Sequence, residues 1–533
     1  MLTSHAFTAP QICAAEAPLL KYQDFLDELM LSAASAVTSA ARVMLDAADV
    51  AEPARERRRR ILVLAGSGGN GGDALYAGSQ LAHQGYEVLA LLLGSSVHAP
   101  ALDALRAAHG QVIDSAAEVG PLDLIIDGLV GLGASGTGLR EDMVEAIYPL
   151  RRPDGAMVAP VLAVDVPSGV NPNTGRAVGS VVPATVTVSF GGFRLAHALS
   201  PHCGEVVIAE ARTQEGALSE RLLEKMVDDG ILRSVWRAVA PTAYEWPRGF
   251  KRLSSILPPP AEPGPADDKY SGGVVGIAAG SPRYPGAAVL ATTAAVRTTP
   301  SMVRYAGPQA QEVVRALPEV VVTDTVGEAG RVQAWVYGPG SGTTPADDLL
   351  TVLASDVPVL IDADGLSLAA AHPEVREAIR GRSAATVLTP HDGEFDRLAR
   401  ALGLARRDRV TDALALAGAL DAAVVLKGRA SVIAYDNTAM VVDAGSSWAA
   451  TPGSGDVLAG VLGALMARAE ATLGPSTSEH HPPYWCLVDG VVVHARAAWL
   501  SAQTRFGPAP TSASHIAEHL REALAWDGVV TRP

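Results

Sequence analysis

The chain has 533 residues, enough for two or more domains of the usual ~100–200 residues. Asp and Glu number 57 against 42 Lys and Arg, a net charge of −15, and only 5% of residues are aromatic. This composition argues against binding to nucleic acid or anionic membranes. Such binding favours clustered positive charge, and single-stranded nucleic acid also favours aromatic rings that stack on its bases. Apolar runs stop short of the ~18 residues of a membrane helix, and three scattered cysteines form no disulfide or metal pattern. We expect a cytoplasmic protein without membrane or nucleic-acid partners.

The first part of the chain predicts helices followed by a doubly wound α/β domain. Residues 16–45 have apolar residues at helical spacing, which indicates one or two helices. Short apolar runs then alternate with helix-length segments, at 61–66, 88–94, 124–131, 161–169, 186–192 and 204–210. Runs that are apolar throughout are typical of parallel strands buried on both faces. We predict a Rossmann-like doubly wound α/β domain over residues 1–215.

A change of composition separates this domain from a second one. Residues 216–268 are more polar and include three consecutive prolines at 258–260, which predicts a partly extended connector. The alternation restarts with strand candidates at 274–281, 335–342, 357–365, 384–395, 422–428 and 431–437, and residues 455–468 predict a helix. The halves share no repeat. We therefore predict a second, different α/β domain over residues 269–533.

Glycines and polar residues follow several strands of the first domain. Residues 66–73 (GSGGNGGD) lie between a strand and a helix, where bare backbone N–H groups can approach a phosphate. Asn70, Asp127, Asp165 and Ser168 follow or end predicted strands. Since the carboxyl ends of parallel strands meet at one edge, we expect these residues to converge there. The oxygens of Asn70, Asp127 and Ser168 suit a hard cation.

The second domain contains a phosphate-type loop at residues 451–460 (TPGSGDVLAG). Its glycines leave bare N–H groups at the start of an apolar helix, an anion hole suited to a phosphoryl group in transfer. Asp456 lies beside that hole and can accept the proton of an attacking hydroxyl. Lys427, at a strand end, can hold a nucleotide phosphate. His391, with Glu394 in the same turn, completes this edge of the predicted sheet.

The motifs GSGGNGGD, IIDGLVGLGASGTG and VDVPSGV resemble the N-terminal domain of NAD(P)H-hydrate epimerases over about residues 10–215. This resemblance implies a potassium ion at Asn70, Asp127 and Ser168. It also implies that Asp165 contacts the hydrated cofactor, together with two loops, which are Gly69, Asn70, Gly71, Gly72 and Asp73, and Gly131, Leu132, Gly133, Ala134, Ser135, Gly136 and Thr137. The pair Gly68-Gly69 departs from the residues that are usual at these two positions of the first motif.

The motifs KYSGGVVGIAAGSPRYPGAAVLA, GPGSG, IDADGL, LTPHDGEF, KGRAS and GSGD resemble the ribokinase-like dehydratases that repair hydrated NAD(P)H, over about residues 269–530. The resemblance implies substrate contacts from Ala287, Ala288, Gly340, Gly342, His391 and Asp456. It implies contacts with AMP or ADP from Lys427, Gly428, Arg429, Ala430, Ser431 and Gly455. Residues 299–301 and Ser454 depart from the usual pattern.

The whole chain thus resembles the fused bacterial NAD(P)H-hydrate repair enzymes. The resemblance implies that the first domain epimerises the R and S forms of NADHX and NADPHX, with Asp165 as catalytic acid/base. The second domain would dehydrate the S form with magnesium and ADP or ATP, with Asp456 as catalytic base. A homo-oligomer is expected. Two alternatives stay open, a ribokinase-like small-molecule kinase fused to a nucleotide-binding module, and a first domain that only senses nucleotides.

Overall fold

A computed structural model describes residues 4–51, 58–132, 138–177, 179–242, 244–253, 262–299, 301–343, 346–473 and 484–531. The chain divides into two compact units. The first contains the described residues up to Val235, a return from Ala240 to residue 253, and residues 530–531. The second contains Trp236–Val239 and the described residues from 262 to Val529. Both are α/β units with mostly parallel sheets, so the predicted fold class is confirmed.

An eight-stranded sheet forms the centre of the first unit. Its strands are β1 (Arg60–Ala65), β2 (Glu87–Leu92), β3 (Gln111–Ile113), β4 (Leu124–Gly128), β5 (Val161–Val164), β6 (Val186–Phe190), β7 (Glu205–Ala209) and β8 (Lys251–Arg252). They lie in the order 8-7-6-5-4-1-2-3, and every neighbouring pair is parallel except β7 with β8. The chain leaves β1 toward β2 and later returns to β4 on its other side. This reversal opens a crevice at the carboxyl ends of β1 and β4, where ligands bind in open α/β sheets.

Helices cover both faces of the first sheet. They are α1 (Ala9–Lys21), α2 (Glu28–Ala51), α3 (Gly69–His83), α4 (Ala99–Ala107), α5 (Glu141–Ile147) and α6 (Leu218–Glu224). Side chains of β1 alternate between the two layers, since Ile61 and Val63 pack with Val37 of α2 while Leu62 and Leu64 pack on the opposite face. This double burial explains why β1 is apolar at nearly every position.

The second unit has a larger sheet, also with one reversal of strand order. Its strands are β9 (Val275–Ala278), β10 (Val303–Ala306), β11 (Val321–Thr323), β12 (Ala334–Tyr337), β13 (Val359–Ile361), β14 (Thr386–Leu388), β15 (Ala423–Leu426), β16 (Ala430–Tyr435) and β17 (Thr438–Asp443). These lie in the order 17-16-15-14-13-12-9-10-11 and are parallel from β11 to β15, while β16 and β17 form an antiparallel edge. The sequence missed β10, β11 and β17, which lie toward the two edges.

The helices of the second unit position its loops. They are α7 (Pro285–Thr298), α8 (Ala310–Ala316), α9 (Asp347–Leu353), α10 (Asp364–Ala371), α11 (Pro373–Arg380), α12 (Asp392–Leu402), α13 (Arg409–Leu420), α14 (Ser454–Leu473), α15 (Trp485–Ser501), α16 (Ala513–Glu518) and α17 (Leu520–Ala525). A Cβ atom at Gly460 of α14 would collide with the carbonyl oxygen of Ala291 in α7. The missing side chain therefore lets the two helices cross closely, which fixes the start of α14 beside α7.

The region predicted as a connector is more ordered than its composition suggests. It contains α6 and the strands Leu232–Arg237, Ala240–Thr242 and β8. Within the second unit, the Ala238 N–H donates to the Asp443 carbonyl at 2.8 Å and Arg237 Nε donates to the Asp443 carboxylate at 3.0 Å. Short strands that complete a sheet edge carry little apolar periodicity. The chain first passes from the first unit to the second at residue 236, within the segment that the sequence assigned to a connector, and residues 240–253 of the same segment belong to the first unit again.

Candidate active sites

A cavity of about 480 Å³ lies in the first unit at the reversal of strand order. The backbone from Ser67 to Asn70, which leads into α3, lines it together with the segment from Leu129 to Leu132, which follows β4. Asp73 and Asp165 also line it. The cavity has the size of a small-molecule pocket. It therefore brings together most of the described residues that the sequence predicted for the first site.

Close approach of backbone explains the glycines of the loop before α3. A Cβ at Gly66 would meet the Leu129 carbonyl oxygen, and one at Gly71 would meet the Gly66 carbonyl oxygen. A Cβ at Gly72 would lie 2.5 Å from the sulfur of Met30. Gly69, by contrast, has open space where a Cβ would stand. Three glycines thus let the chain pack at the crevice, while Gly69 leaves room on the cavity side.

Asp127 and Ser168 are in direct contact. Asp127 is 1% exposed and accepts hydrogen bonds from the Ser168 hydroxyl at 2.6 Å, the Ser168 N–H at 2.8 Å and the Leu129 N–H at 3.3 Å. Burial raises the pKa of Asp127 to about 6 despite these bonds. Among the described residues no basic side chain pairs with it. A buried carboxylate held only by neutral donors leaves its negative charge unbalanced.

Asn70 lies close to the same strand ends. Its Nδ2 donates to the Val164 carbonyl at 2.6 Å, and its Oδ1 lies where a Cβ of Gly131 would stand. The amide is therefore oriented, and its oxygen faces the segment after β4. The predicted substrate residues Gly133, Ala134, Ser135, Gly136 and Thr137 lie outside the described residues.

Asp165 is held in an unusual conformation by partners that the sequence did not reveal. Its φ is +66°, in the left-handed region that non-glycine residues rarely adopt. Its Oδ1 accepts from Ser189 Oγ at 2.7 Å and lies 2.9 Å from Arg194 Nη2. His197 accepts the Arg194 N–H at Nδ1, so its Nε2 donates to the Asp165 carbonyl at 2.9 Å. Such strain persists only where the surroundings over-determine it, which is common in active sites.

Two further carboxyl groups line this cavity, Glu16 from α1 and Asp73 from α3. Burial, with the negative charge of Asp165, raises the pKa of Glu16 to about 7, although Arg194 opposes the shift. Burial, with the charges of Glu16 and Asp165, raises the pKa of Asp73 well above its usual value. The sequence placed Asp73 in the site through its motif. The helical opening that contains Glu16 also resembles the epimerase family, but the sequence gave Glu16 itself no role in the site.

In the second unit Asp456 lies within a group of charged side chains at the carboxyl edge of the sheet. Lys427 Nζ is 2.5 Å from Asp362 Oδ1 and 3.8 Å from Glu394 Oε2. Burial disfavours the Lys427 ammonium, but Asp362 and Glu394 outweigh it and raise the Lys427 pKa. Burial and the charge of Asp362 raise the pKa of Asp456 to about 6, while Lys427 opposes the shift. Asp456 is therefore close to the range useful to a general base near neutrality.

The loop before α14 has no side chain where it passes Lys427 and Asp362, because a glycine stands there. A Cβ at Gly455 would lie 3.5 Å from Lys427 Nζ and 4.0 Å from Asp362 Oδ2. Gly453 has φ +82°, which favours glycine. Ser454 departs from the family wording, and its hydroxyl is 2.9 Å from Nε2 of the buried His494. Burial lowers the pKa of His494 to about 4, so this histidine is neutral and orients the loop.

His391 and Glu394 form the N-terminal cap of α12. The His391 N–H donates to Glu394 Oε2 at 2.8 Å, and His391 Nδ1 accepts from the Gly393 N–H at 2.9 Å. The imidazole is more than half exposed, while Glu394 is 7% exposed. His391 therefore has a structural bond on Nδ1, and its Nε2 lies 3.5 Å from Glu394 Oε1. Glu394 links this turn to Lys427.

The other predicted substrate contacts lie on the loop after β12 and on α7. Gly340 has φ +60°, and a Cβ there would lie 2.8 Å from the Cβ of Ala287. The Gly342 N–H donates to Asp364 Oδ2 at 2.9 Å. Ala287 and Ala288 are buried at the start of α7. The structure thus brings Gly340 and Ala287 together.

The predicted nucleotide segment is the turn between β15 and β16. Ser431 Oγ donates to the Gly428 carbonyl at 3.1 Å and so closes this turn, while Ala430 begins β16. Arg429 lies 3.3 Å from Asp443. Arg409 of α13, which the sequence missed, donates to the Lys427 carbonyl at 2.9 Å and pairs with Asp392 at 2.7 Å. Arg409 therefore fixes the turn from outside.

No group of three or more His, Cys, Asp or Glu side chains within the described residues is arranged to hold a metal ion. No helix within them is long and apolar enough to cross a bilayer.

Comparison with known proteins identifies the two halves. Residues 26–196 match the family described as YjeF-related protein N-terminus, and residues 275–521 match the family described as NAD(P)H-hydrate dehydratase. The bifunctional NAD(P)H-hydrate repair enzyme of Corynebacterium glutamicum is 42% identical, over 97% of this chain and 98% of that protein. The enzyme of the same description from Mycobacterium tuberculosis is 41% identical over 98% of this chain and 99% of that protein.

Among solved structures, the ADP/ATP-dependent NAD(P)H-hydrate dehydratase of Bacillus subtilis, co-crystallized with ATP/Mg²⁺, covers 50% of this chain and 94% of its own, with 23% identity and a TM-score of 0.38. The sequence relatives match both halves in order and at nearly full length. The chain belongs to the family of bifunctional NAD(P)H-hydrate repair enzymes.

Proposed function

We propose that the first unit epimerises the hydrated nicotinamide ring of NADHX and NADPHX and that the second dehydrates the S form with ADP or ATP. Membership of the repair family supports this division. The observation that carries it is a carboxylate at each sheet's carboxyl edge beside a glycine loop, Asp165 in one unit and Asp456 in the other. The cytoplasmic location and the homo-oligomer stay predictions from the sequence.

In the first unit the reaction interconverts two forms of a ring that has a hydroxyl on C6. Loss of this hydroxyl as water breaks the C6–O bond, and the lone pair of the ring nitrogen then forms a double bond to C6. Water adds to the flat cation from the other face and gives the second epimer. A carboxylate beside the ring stabilises the developing positive charge. Asp165 supplies it, since Arg194 and Ser189 fix its position.

Potassium is assigned to Asn70, Asp127 and Ser168. All three supply oxygen atoms, which hard cations prefer. The buried Asp127 carboxylate has hydrogen bonds to Ser168 and Leu129 but no cationic partner among the described residues. A monovalent cation would balance this single charge and would order the strand ends that line the cavity. The donor chemistry therefore fits the ion.

In the second unit Asp456 accepts the proton of the C6 hydroxyl as that oxygen attacks the terminal phosphoryl group of the nucleotide. Phosphate is a better leaving group than hydroxide. When the C6–O bond breaks, phosphate leaves with the bonding electrons and takes up the proton that C5 loses, and the ring double bond of NAD(P)H returns. The N–H groups of the loop that contains Gly453 and Gly455 would hold the phosphoryl group, and Lys427, 3.5 Å from where a Cβ of Gly455 would stand, would supply positive charge.

Magnesium is assigned to the nucleotide phosphates rather than to a protein cage. Proteins usually hold this ion through one or two carboxylates together with substrate phosphates. Asp362 and Glu394 are the carboxylates nearest Lys427, and this ammonium already balances part of their charge. Bound magnesium would neutralise charge on the transferring phosphoryl group.

The test is to incubate the protein with mixed R and S NADHX, with ADP and with ATP, and to follow the absorbance of restored NADH. Complete conversion of both epimers is expected, together with one phosphate released for each NADH. Conversion of the S form alone would refute the epimerase assignment. A stable phosphorylated product without NADH would favour the alternative, a small-molecule kinase fused to a nucleotide-binding module, which the family membership does not favour.

A further inference from the structure

Asp165 presents one carboxylate oxygen with partners and one without. Its Oδ1 lies 2.7 Å from Ser189 Oγ and 2.9 Å from Arg194 Nη2. Its Oδ2 is buried and has no hydrogen-bond partner among the described residues. Arg194 is 1% exposed, so this ion pair is shielded from water. Arg194 and Ser189 therefore occupy Oδ1 and leave Oδ2 as the atom available to a substrate.

Glu16 enters the same cavity from a different element. It lies on α1, whereas Asp165 follows β5, and both line the cavity. Unlike Asp165, Glu16 has neither a hydrogen bond nor an ion pair from any residue in the described part of the chain. Its carboxyl group is half-buried and not fixed by a counter-charge. Such a group can exchange a proton with a ligand, because no cation holds it in the ionised form.

Burial favours the neutral form of Glu16, and the charged groups that face it act in opposite directions. Asp165 and Asp73 line the cavity with it, as does the thiol of Cys13 on the same helix. The charge of Arg194 favours the ionised form of Glu16 and the charge of Asp165 opposes it, while Arg194 and Asp165 are themselves paired at 2.9 Å. Arg140 also lines the cavity and is paired with Asp142 at 2.9 Å. Burial and Asp165 together raise the pKa of Glu16 to about 7, so protonated and ionised forms are both populated near neutrality.

We propose that Glu16 is the second acid/base residue of the epimerase, working on one face of the hydrated ring while Asp165 Oδ2 works on the other. This inference rests on the proposed epimerase function and extends it. Epimerisation requires water to leave from one face and to return on the opposite face. It therefore needs one protonated and one ionised group at the same time. The cavity supplies such a pair because Arg194 forms an ion pair with Asp165 and not with Glu16.

The proton balance closes over one turnover. Glu16 gives its proton to the C6 hydroxyl, the C6–O bond breaks, and the ring nitrogen's lone pair forms the double bond to C6. A water molecule then adds to C6 from the opposite face, and its proton passes to Asp165 Oδ2. The new C6–O bond takes its electrons from that water, and the double bond electrons return to nitrogen. Glu16 is left ionised and Asp165 protonated, the arrangement that the reverse reaction requires, and proton exchange with water returns both groups to their starting forms before the next forward turnover.

The test is the variant Glu16→Gln in the full chain. A glutamine keeps the size and polarity of the side chain but cannot exchange the proton. We expect R/S interconversion, followed by chromatography of the two epimers without nucleotide, to fall by ~100-fold or more. Wild-type interconversion should decrease as the pH rises through about 7, because Glu16 loses its proton there. Glu16→Asp should recover part of the rate and keep a pH dependence.

Two controls separate the possible outcomes. Glu145→Gln changes an exposed glutamate on α5 and should leave interconversion unchanged. Dehydration of the S form with ADP reports on the other unit and should persist in Glu16→Gln. No acceleration over the spontaneous rate in the wild type would refute the proposed epimerase itself. An active wild type with a Glu16→Gln variant within twofold of it, or with the same pH profile at a lower rate, would refute only the role of Glu16.

Discussion

The substitution Asp456→Asn is expected to abolish dehydration and to stabilise the second unit. Burial and Asp362 raise the Asp456 pKa from 3.8 to about 6. The native fold therefore binds this proton more tightly than the unfolded chain, and the ionised form is destabilising above pH 6. At about 1.4 kcal/mol per pKa unit the penalty is about 3 kcal/mol. Since Asp456 is partly exposed, solvent screening reduces it, and we expect a gain of about 1–3 kcal/mol at neutral pH.

The gain in stability from Asp456→Asn should depend on pH, because it comes from removing the negative charge of the ionised carboxylate. The stabilisation by asparagine should be complete at about pH 7.5, should shrink as the pH falls through 6, and should vanish near 3.8. Urea denaturation of wild type and variant at about pH 7.5 and about pH 5 measures it, with the transition of the second unit followed separately. Asp347→Asn, at an exposed first-turn position of α9, is the matched control and should change stability by only a few tenths of a kcal/mol.

Either of two results would refute this reasoning. Undiminished recovery of NADH from the S form by Asp456→Asn would show that this carboxylate is not the base. A stability change that is equal at the two pH values would show that the charge of Asp456 does not destabilise the native fold. R/S interconversion should be unaffected in either case, because the other unit performs it.

Asp127→Ala should slow consumption of the R form to the rate of its spontaneous epimerisation, while repair of the S form with ADP continues. The measurement is NADH recovered from the purified R epimer, and fast recovery would contradict the cation site. Replacing potassium by a bulky organic cation should reproduce this loss in the wild type, with S-form repair as the internal reference. The double variant Asp127→Ala, Asp456→Asn should combine the two single losses without coupling, since the residues lie in separate compact units. Lys427→Met should raise the KM for ADP and should lower the stability of the second unit by about 3–5 kcal/mol, because the buried Asp362 loses its counter-charge; urea denaturation and nucleotide titration measure these effects.

The sequence by itself determined the two α/β units, most of their strands and the residues that follow them. Runs such as 61–66 are apolar at nearly every position because both faces of a parallel strand are buried, and the corresponding β1 covers Arg60–Ala65. The glycines at 66, 71 and 72 stand where a Cβ would collide with neighbouring atoms. The expected meeting of Asp127 and Ser168 rests on the rule that the carboxyl ends of parallel strands lie at one edge, and their side chains lie 2.6 Å apart.

Predicted strands such as 161–169 extended past the true end of β5 at Val164, because the run itself does not mark where the strand stops. The sequence also assigned residues 216–268 to a connector, although part of this segment pairs at the edges of the sheets. Short edge strands have too few residues to show a period. Periodicity reports burial within one element and says little about where that element ends.

Only the tertiary structure decided which side chains share a site across different elements. Lys427 pairs with Asp362, 65 residues away, because β13 and β15 end at the same edge of the sheet with β14 between them. Arg194 reaches Asp165 from a segment without a motif, and Glu16 enters their cavity from α1. Local pattern cannot specify these contacts, since they depend on strand order and on where each helix packs. The same packing removes water from Glu16 and Asp456, and this desolvation raises the pKa values of both carboxyl groups.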